Sequence, residues 1–600
     1  MKYIHTRLVL LCMMAFSMHS IGTAQTLTAS VVAAIEKSIP VVQLADGSIA
    51  EQVTVQRSGT HRLYHFTLTN TGRHTVKIKQ VQLFSVNKLF SGNTPFYGEG
   101  FQMLSQTAGS LSQPKDIGQY TDNGHYHLPQ PAGYKTVYNL LLIGAAPTDQ
   151  YLLAFTSCKK FLGKFDVSAD TIKVIQDADN ISLQPGATLT LEEFMIAAGS
   201  SRPALFSALS ANISRNHPRT PVKAIPSGWC SWYCFGPEVT VNDINRSMSF
   251  IKKNIPQLKY IQIDDGYQSH MGDWLETGKS FGGSIQNVLK GIRQQGFEPA
   301  IWVAPFICDS NSLVYKQHPD WLVKDSTGKP LRSDKVSFGG WRLAPWYVLD
   351  GTNPAVQQHL TSVFTKMREE WGCTYFKMDA NFWGAIQGGV FYDSNATRVT
   401  AYRSGMKAIR KGAGTAFLLG CNHPLWPSLG LIDGSRSSLD IDRSWESFTS
   451  VGRENLYRNW QNGNLWWNDP DCIVLTGKLT DDEFSFHASL IFATGGMVLS
   501  GDDLTTITPE RLAILQKCLP PSGRPASFEN DAFETGKITT AKGRFIVLLN
   551  WTDDAKSFTV PIPKAATVTD YFAGKSLGKY HHQLQIQLNP RAGKILQVTD

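Results

Sequence analysis

Apolar and polar positions along the chain change period twice. From Gln25 to about Arg202 they alternate in short runs: Leu63 to Asn70, Thr75 to Val86, the apolar Tyr138 to Ile143, and Ile181 to Ile196 broken at Pro185-Gly186. Such runs, with turn residues between them, predict a β-sandwich. No catalytic pattern stands out in it, and packing or substrate framing is its expected role. A helical segment, Ala204 to Asn212, follows. From Ile225 strand-like runs alternate with amphipathic helical stretches such as Val241 to Asn254 and Ser284 to Gln295. The candidate strands are Ala224 to Trp232, Leu258 to Asp264, Glu298 to Ala304, Cys373 to Asp379, Ala416 to Cys421, Leu431 to Asp440, Asp471 to Leu475 and Gly496 to Ser500. Eight strands in βα alternation over roughly 300 residues meet the requirement of a (β/α)8 barrel. A doubly wound open sheet is disfavoured, because no glycine-rich phosphate loop follows the first strand. From about Phe528 alternation returns (Phe545 to Trp551, Phe558 to Ile562, Leu584 to Leu588), predicting a small β-sandwich against the barrel.

The expected architecture is therefore multidomain: residues 25–202 an N-terminal β-sandwich, 203–527 a TIM barrel with its linker helix, and 528–600 a C-terminal β-sandwich. Residues 1–24 read as a signal peptide: Lys2 and Arg7, the apolar run Leu8 to Phe16, then Gly22 and Ala24, with cleavage after Ala24. Cys12 lacks the small residue expected before a lipid-modified cysteine. The expected location is periplasmic or secreted. No later stretch is long and apolar enough to span a bilayer. Without the first 24 residues the net charge is about +6, and no basic run or Arg/Lys-aromatic stripe points to nucleic acid. Fifteen Trp supply flat apolar faces of the kind that carbohydrate rings stack on and large cores also use. The eight cysteines after Ala24 show neither a C-x-x-C zinc pattern nor a dense disulfide scaffold, and several end apolar strands where a buried thiol fits.

Candidate chemistry gathers at the strand ends, which face the active site in a barrel. In Cys373-Thr374-Tyr375-Phe376-Lys377-Met378-Asp379 the i and i+2 rule places Lys377 and Asp379 on one face, so the lysine is expected to hold the carboxylate ionised. The other ends supply Trp229 and Trp232, Asp264 and Asp265, Trp302, Cys421, then Arg436 and Asp440. Ring faces against Trp and hydroxyls held by charged groups make a sugar site, and polar recognition of this kind rejects epimers. Trp229 is expected in the core, since only one of the two Trp must look inward. Glycoside hydrolysis needs two carboxyl groups flanking the bond, and Asp379 and Asp440 are placed to supply them. Arg436 lowers the pKa of Asp440, while burial and the Asp379 anion raise it.

Gly228-Trp229-Cys230-Ser231-Trp232, Asp264-Asp265-Gly266-Tyr267, Ala300-Ile301-Trp302-Val303, Phe376-Lys377-Met378-Asp379, Cys421 to Ser428, Arg436-Ser437-Ser438-Leu439-Asp440-Ile441 and Asn468-Asp469-Pro470-Asp471 together resemble the melibiase-type α-galactosidases of glycoside hydrolase family 36, related to family 27. The resemblance spans about Ser227 to Leu504. It implies a retaining hydrolase of terminal α-galactosides with no cofactor and no metal. It implies Asp379 as nucleophile, Asp440 as acid/base, Asp264 and Asp265 on the 4- and 6-hydroxyls, and Lys377 on neighbouring hydroxyls. Trp232 and Trp302 would cover the sugar faces, with Arg436 and Cys421 on the 2-position side. The chain departs from many bacterial members at Val303-Ala304-Pro305, where they carry a Glu before the Pro, and it is shorter than the large tetrameric ones. Asp442 is a second acid candidate that misses the family spacing. An α-N-acetylgalactosaminidase or a galactosyl transferase on the same site is the nearest alternative reading. A metal-dependent barrel enzyme, with hard-cation ligands from the carboxylates, or a non-catalytic sugar-binding protein is the more distant one.

Overall fold

Eight short segments of the computed structural model form one parallel sheet in which β1 to β6 each pair with the next in the chain: β1 (Ser227–Cys230), β2 (Tyr260–Ile263), β3 (Glu298–Val303), β4 (Tyr375–Met378), β5 (Phe417–Gly420), β6 (Gly434–Arg436), β7 (Trp467–Asp469) and, beside β1, β8 (Val498–Ser500). β1 also pairs with β8. The ring closes where the Met497 N–H donates to the Asn468 carbonyl (2.8 Å) and the Ile473 N–H to that of Leu499 (2.8 Å). Nearly every strand residue is buried, as parallel strands covered on both faces require. The structure describes residues 30–599 except 61, 145–149, 223 and 541, so the predicted signal peptide lies outside the described residues. No helix among them is long and apolar enough to cross a membrane.

Helices follow most strands: α1 (Val241–Asn254), α2 (Ile285–Gln294), α3 (Pro354–Glu369), α4 (Arg398–Ala413), α5 (Trp445–Tyr457), α6 (Asp481–Thr494) and α7 (Pro509–Lys517). α1 and α6 begin with reciprocal capping boxes, Thr240 with Asp243 and Thr480 with Glu483, which satisfy amide donors that the first turn leaves open. The β5 to β6 connection carries a single 3-10 turn, Trp426–Ser428, in place of an α-helix. Pro424 and Pro427 remove two amide donors there, and buried His423 braces the segment through Ser428 Oγ (2.9 Å) and Ser435 Oγ (2.9 Å).

Two strands differ from expectation. The seventh is Trp467–Asp469, not Asp471 to Leu475: it pairs with β6, Pro470 has no amide to continue the ladder, and Asp471 turns the chain at φ 74°. The sixth stops at Arg436, and Ser437 to Asp440 leave the sheet as a loop.

The chain divides into two compact units. One holds the described residues up to Glu99, Thr107–Lys115 and Gln130–Leu209; the other holds Gly100–Gln106, Asp116–Pro129 and Ser210 onward. In the first, an antiparallel sheet includes Leu63–Asn70, Val76–Asn87 and Lys135–Ile143, and the run broken at Pro185-Gly186 becomes Thr171–Leu183, Thr188–Thr190 and Phe194–Gly199. The second unit contains the barrel and a six-stranded antiparallel sheet, Ser527 to Thr599. Phe492 of α6 packs edge-on against Phe545 of that sheet (5.3 Å). Gly100–Gln106 and Asp116–Pro129, inside the stretch read from sequence as the N-terminal sandwich, thus cluster with the barrel.

Candidate active site

At the C-terminal mouth of the barrel lies a cavity of about 260 Å³, lined by Trp232, Asp264, Asp265, Trp302, Lys377, Asp379, Cys421, Arg436 and Asp440. All nine residues picked from sequence as site candidates are therefore in one place. Trp229 is not: it is buried, and its indole N–H donates to the Asp502 carbonyl (2.8 Å). Trp232 reaches the cavity because the chain leaves β1 into the short helix Trp232–Phe235. Asp442 is exposed and does not line the cavity.

The β2 and β4 ends interlock. Asp264 Oδ2 accepts from Lys377 Nζ (2.8 Å) and from Gln262 Nε2 (2.8 Å). Lys377 is therefore the direct partner of Asp264; the i and i+2 argument had expected it to pair with Asp379, and no ion pair joins those two. The reason is geometric: β4 ends at Met378, so Asp379 has left the strand, and Asp264, just after β2 on the far side of β3, meets the ammonium group instead. Asp265 is gripped by Arg342, whose Nε donates to Oδ2 (2.9 Å) and whose Nη2 donates to Oδ1, and by Gln268 Nε2 (2.6 Å). Gly266 completes the turn at φ 124°, with the Pro237 carbonyl 2.4 Å from where a Cβ would sit.

Asp379 is held by neutral donors: the Trp302 indole N–H to Oδ2 (3.1 Å) and the Ala380 amide to Oδ1 (2.7 Å). Ala380 takes the left-handed conformation (φ 52°), which a side-chain-bearing residue adopts only under constraint. Burial pushes the Asp379 carboxyl up, Lys377 opposes this at longer range, and the Asp440 charge adds to it; the outcome is above the usual carboxylate range. Sequence reasoning had Lys377 outweigh these effects; desolvation wins because the ammonium is committed to Asp264.

At β6 the side chain of Arg436, 1% exposed, donates from Nη2 to Asp440 Oδ1 (2.7 Å) and to Asp471 Oδ2 (3.0 Å). Its Nη1 lies 3.9 Å from Cys421 Sγ. Desolvation resists ionisation of Asp440, but the attraction of Arg436 and Lys377 and the bond from Arg436 outweigh it, holding the carboxyl below its ordinary value. The 58% exposure of the Asp440 side chain works in the same direction. Asp471 also accepts from the Tyr233 hydroxyl and the Ile441 amide (2.7 Å). Burial lifts Asp469, beside it, to about 6.

Several lining residues were not picked from sequence. Leu104, Tyr120 and Tyr126 come from the two early segments that cluster with the barrel, and Tyr126 donates to Asn422 Oδ1 (2.8 Å). Phe338 and Trp341 come from the long β3 to α3 connection; Trp341 is 38% exposed and set edge-on against Trp346 (4.6 Å) and Trp383 (5.9 Å). Asp471, which does not line the cavity but holds Arg436 and the Ile441 amide, belongs to a motif noticed in the sequence but read as loop-shaping. The eight described cysteines are free thiols.

Residues 260–408 match the Melibiase family model. The Melibiase segment contains Asp264, Asp265, Trp302, Lys377 and Asp379, while Trp232, Cys421, Arg436 and Asp440 lie outside it. The bifunctional alpha-galactosidase/sucrose kinase AgaSK of Mediterraneibacter gnavus is 23% identical over 192 residues, 30% of this chain and 20% of that protein. The A type blood alpha-D-galactosamine galactosaminidase of Flavonifractor plautii is 30% identical over 132 residues, 20% of this chain and 12% of that protein. The aligned part is thus about a fifth of these relatives' length or less. The fold of the alpha-galactosidase from Thermus thermophilus, solved with p-nitrophenyl alpha-D-galactopyranoside, superposes with TM-score 0.62 at 22% identity, covering 81% of this chain and 98% of that one. The Lactobacillus brevis alpha-galactosidase fold gives TM-score 0.64 at 13% identity, covering 93% and 87%.

Proposed function

We propose that the protein is an exo-acting α-galactosidase that cleaves terminal α-linked galactose with retention of configuration, without a cofactor. The observation that carries this reading is the pairing of unlike carboxylates at one cavity: Asp379, fixed by neutral donors, and Asp440, tethered to Arg436. Asp379 attacks the anomeric carbon as nucleophile while Asp440 protonates the departing oxygen. Asp440, then ionised, draws the proton from the water that hydrolyses the glycosyl ester. Asp264, Asp265 and Lys377, already bonded to Gln262, Arg342, Gln268 and one another, present preorganised partners to the 4- and 6-hydroxyls and their neighbour. Trp232 and Trp302 cover the ring faces, and Arg436 with Cys421 borders the 2-position.

In the resting site Asp379 is pushed up and Asp440 held down. The reaction needs the proton on Asp440. Two interacting carboxyls titrate as a pair rather than singly, so the singly protonated pair is the competent form. Positive charge developing at the anomeric carbon stabilises the Asp379 anion, so that in the transition state the pair's one proton belongs on Asp440, which gives it to the departing oxygen as negative charge builds there.

The test is hydrolysis of an aryl α-galactoside beside the α-N-acetylgalactosaminide, β-galactoside and α-glucoside, with Asp379→Ala as control and the first-formed anomer read by NMR. Release from the α-galactoside alone, as the α-anomer and absent in the variant, is the expected result. First release of the β-anomer would refute retention, and no release from any substrate would refute the function. A galactosamine-directed activity is the second reading, supported by the named activity of the Flavonifractor plautii relative and by the Cys421 and Asn422 side chains lining the cavity. Preferential release from the N-acetylated substrate would favour it.

A further inference from the structure

Asp440 sits four residues beyond β6 on a loop, with its side chain more than half exposed, so the barrel strands do not fix it. The amides on either side of it do: the Ile441 N–H ends on Asp471 Oδ2 (2.7 Å), and the Leu439 N–H ends on Glu454 Oε2 (2.8 Å), a carboxylate on α5. Asn455 of α5 and Arg458, just past its end, hold the same loop. Asn455 Oδ1 accepts from the Ser437 hydroxyl (2.5 Å), and Arg458 Nη1 donates to the Ser437 carbonyl (3.1 Å).

Glu454 is an expensive choice for this task. Its side chain lies in a residue with 0% exposure, and its other oxygen has only a long contact from the Ser450 hydroxyl (3.4 Å). Among the described residues no ion pair within 4 Å engages it; Arg458, one turn on, donates to the Ser437, Met103 and Ser105 carbonyls. Gly118 (φ 82°) closes over the carboxylate so tightly that a Cβ there would stand 2.6 Å from Oε1. A glutamine would satisfy the Leu439 amide without burying an ionisable group. Burial lifts the Glu454 carboxyl to about 7, against the Leu439 amide, the charges of Arg458 and Arg436, and the Ser450 hydroxyl.

We propose that Glu454 is a positioning residue for Asp440: from α5 it grips the Leu439 amide and sets the angle at which the loop presents the acid/base carboxyl to the departing oxygen. This rests on the assignment of Asp440 as acid/base. An acid is needed most where the leaving group is poor. The role therefore appears as a leaving-group dependence, which general destabilisation would not produce.

The experiment compares kcat/KM for a 2,4-dinitrophenyl α-galactoside and for methyl α-galactoside in the wild type, Glu454→Ala, Glu454→Asp, Glu454→Gln and Asp440→Ala. Glu454→Ala and Glu454→Asp should lose about tenfold or more on the methyl glycoside and less than about threefold on the activated one. Glu454→Gln, which can still accept the Leu439 N–H, should recover most of the loss. Equal losses on both substrates in a folded variant, or no loss, would overturn the proposal; Glu454→Asp, which keeps the charge but retracts it, decides the matter where Glu454→Ala does not fold. Asp440→Ala should show the same dependence more steeply and be rescued on the activated substrate by azide. If it does not, the acid/base assignment itself falls, whatever the Glu454 variants do.

Discussion

The strand-four and strand-six corners of the mouth each present an aspartate to the same cavity, and they do it by opposite means. Asp379 follows its strand directly, on a left-handed turn, and meets only neutral donors. Asp440 rides a loop, meets an arginine, and owes its place to groups on α5 and after β7. A carboxylate fixed by backbone and neutral hydrogen bonds is positioned without losing charge to a partner. One fixed by an ion-pair network can be retuned by any member of that network. The first corner should respond to substitution all at once, and the second by degrees.

Asp379→Ala tests the first corner and carries the largest expected effect: kcat on any α-galactoside should fall by about 10⁴ or more, since no neighbouring group can form the ester. Residual activity within tenfold of wild type would remove the contrast. Next comes Arg436→Ala. It leaves Asp471 buried without its cation, so unfolding studies should show a loss of about 3 kcal/mol, and kcat/KM should drop by about 10². An unchanged enzyme would mean that the second corner is not a network. A subtler test is the acid limb of kcat/KM for an activated aryl substrate in Asp440→Asn. The Asp440 anion helps to raise the Asp379 carboxyl, so its removal lets Asp379 ionise at lower pH, and the limb should move to lower pH. A limb that stays or moves upward would show that the two carboxyls do not interact.

The smallest effect concerns Glu454. Its folded pKa of about 7 lies above the ordinary 4.5. The folded form therefore binds the proton more tightly, and the associated stability, full below about pH 4.5, is lost as pH rises through 7. Glu454→Gln should flatten the Tm profile between pH 5 and 8 and raise Tm most at the alkaline end. A parallel profile would show that the carboxyl titrates normally.

The same contrast explains what was legible in the sequence. Most barrel strands and α1 were placed by periodicity, and the strand-end rule brought Asp264, Asp265, Trp302, Lys377 and Asp379 together because each lies on a strand or just beyond it. Asp440 was picked as the end of a sixth strand that stops four residues earlier, at Arg436, so the strand-end rule reached it for the wrong reason. Its supports were not reachable at all: Glu454 reads as one polar helix position, and Asp471 was hidden once β7 was set four residues too late. Lys377 was paired with the wrong aspartate because spacing within a strand says nothing of what another strand end, here that of β2 beyond β3, supplies. Tyr120 and Tyr126 lie between two strands inside the stretch that was read as the N-terminal sandwich, and no local signal sets that connection apart as one that clusters with the barrel. Trp341-Arg342 after Gly339-Gly340 carried the one overlooked local signal, an aromatic and a fork-shaped cation in a glycine turn.

The measurement that tests the central claim most directly is covalent trapping. The protein is incubated with 5-fluoro-α-galactosyl fluoride and its peptides are mapped by mass spectrometry. One fluorogalactosyl group on Asp379, with none on Asp440, Asp264 or Asp469, is the predicted result; a label on another carboxylate, or an enzyme that turns over galactosides yet never forms the ester, would contradict it.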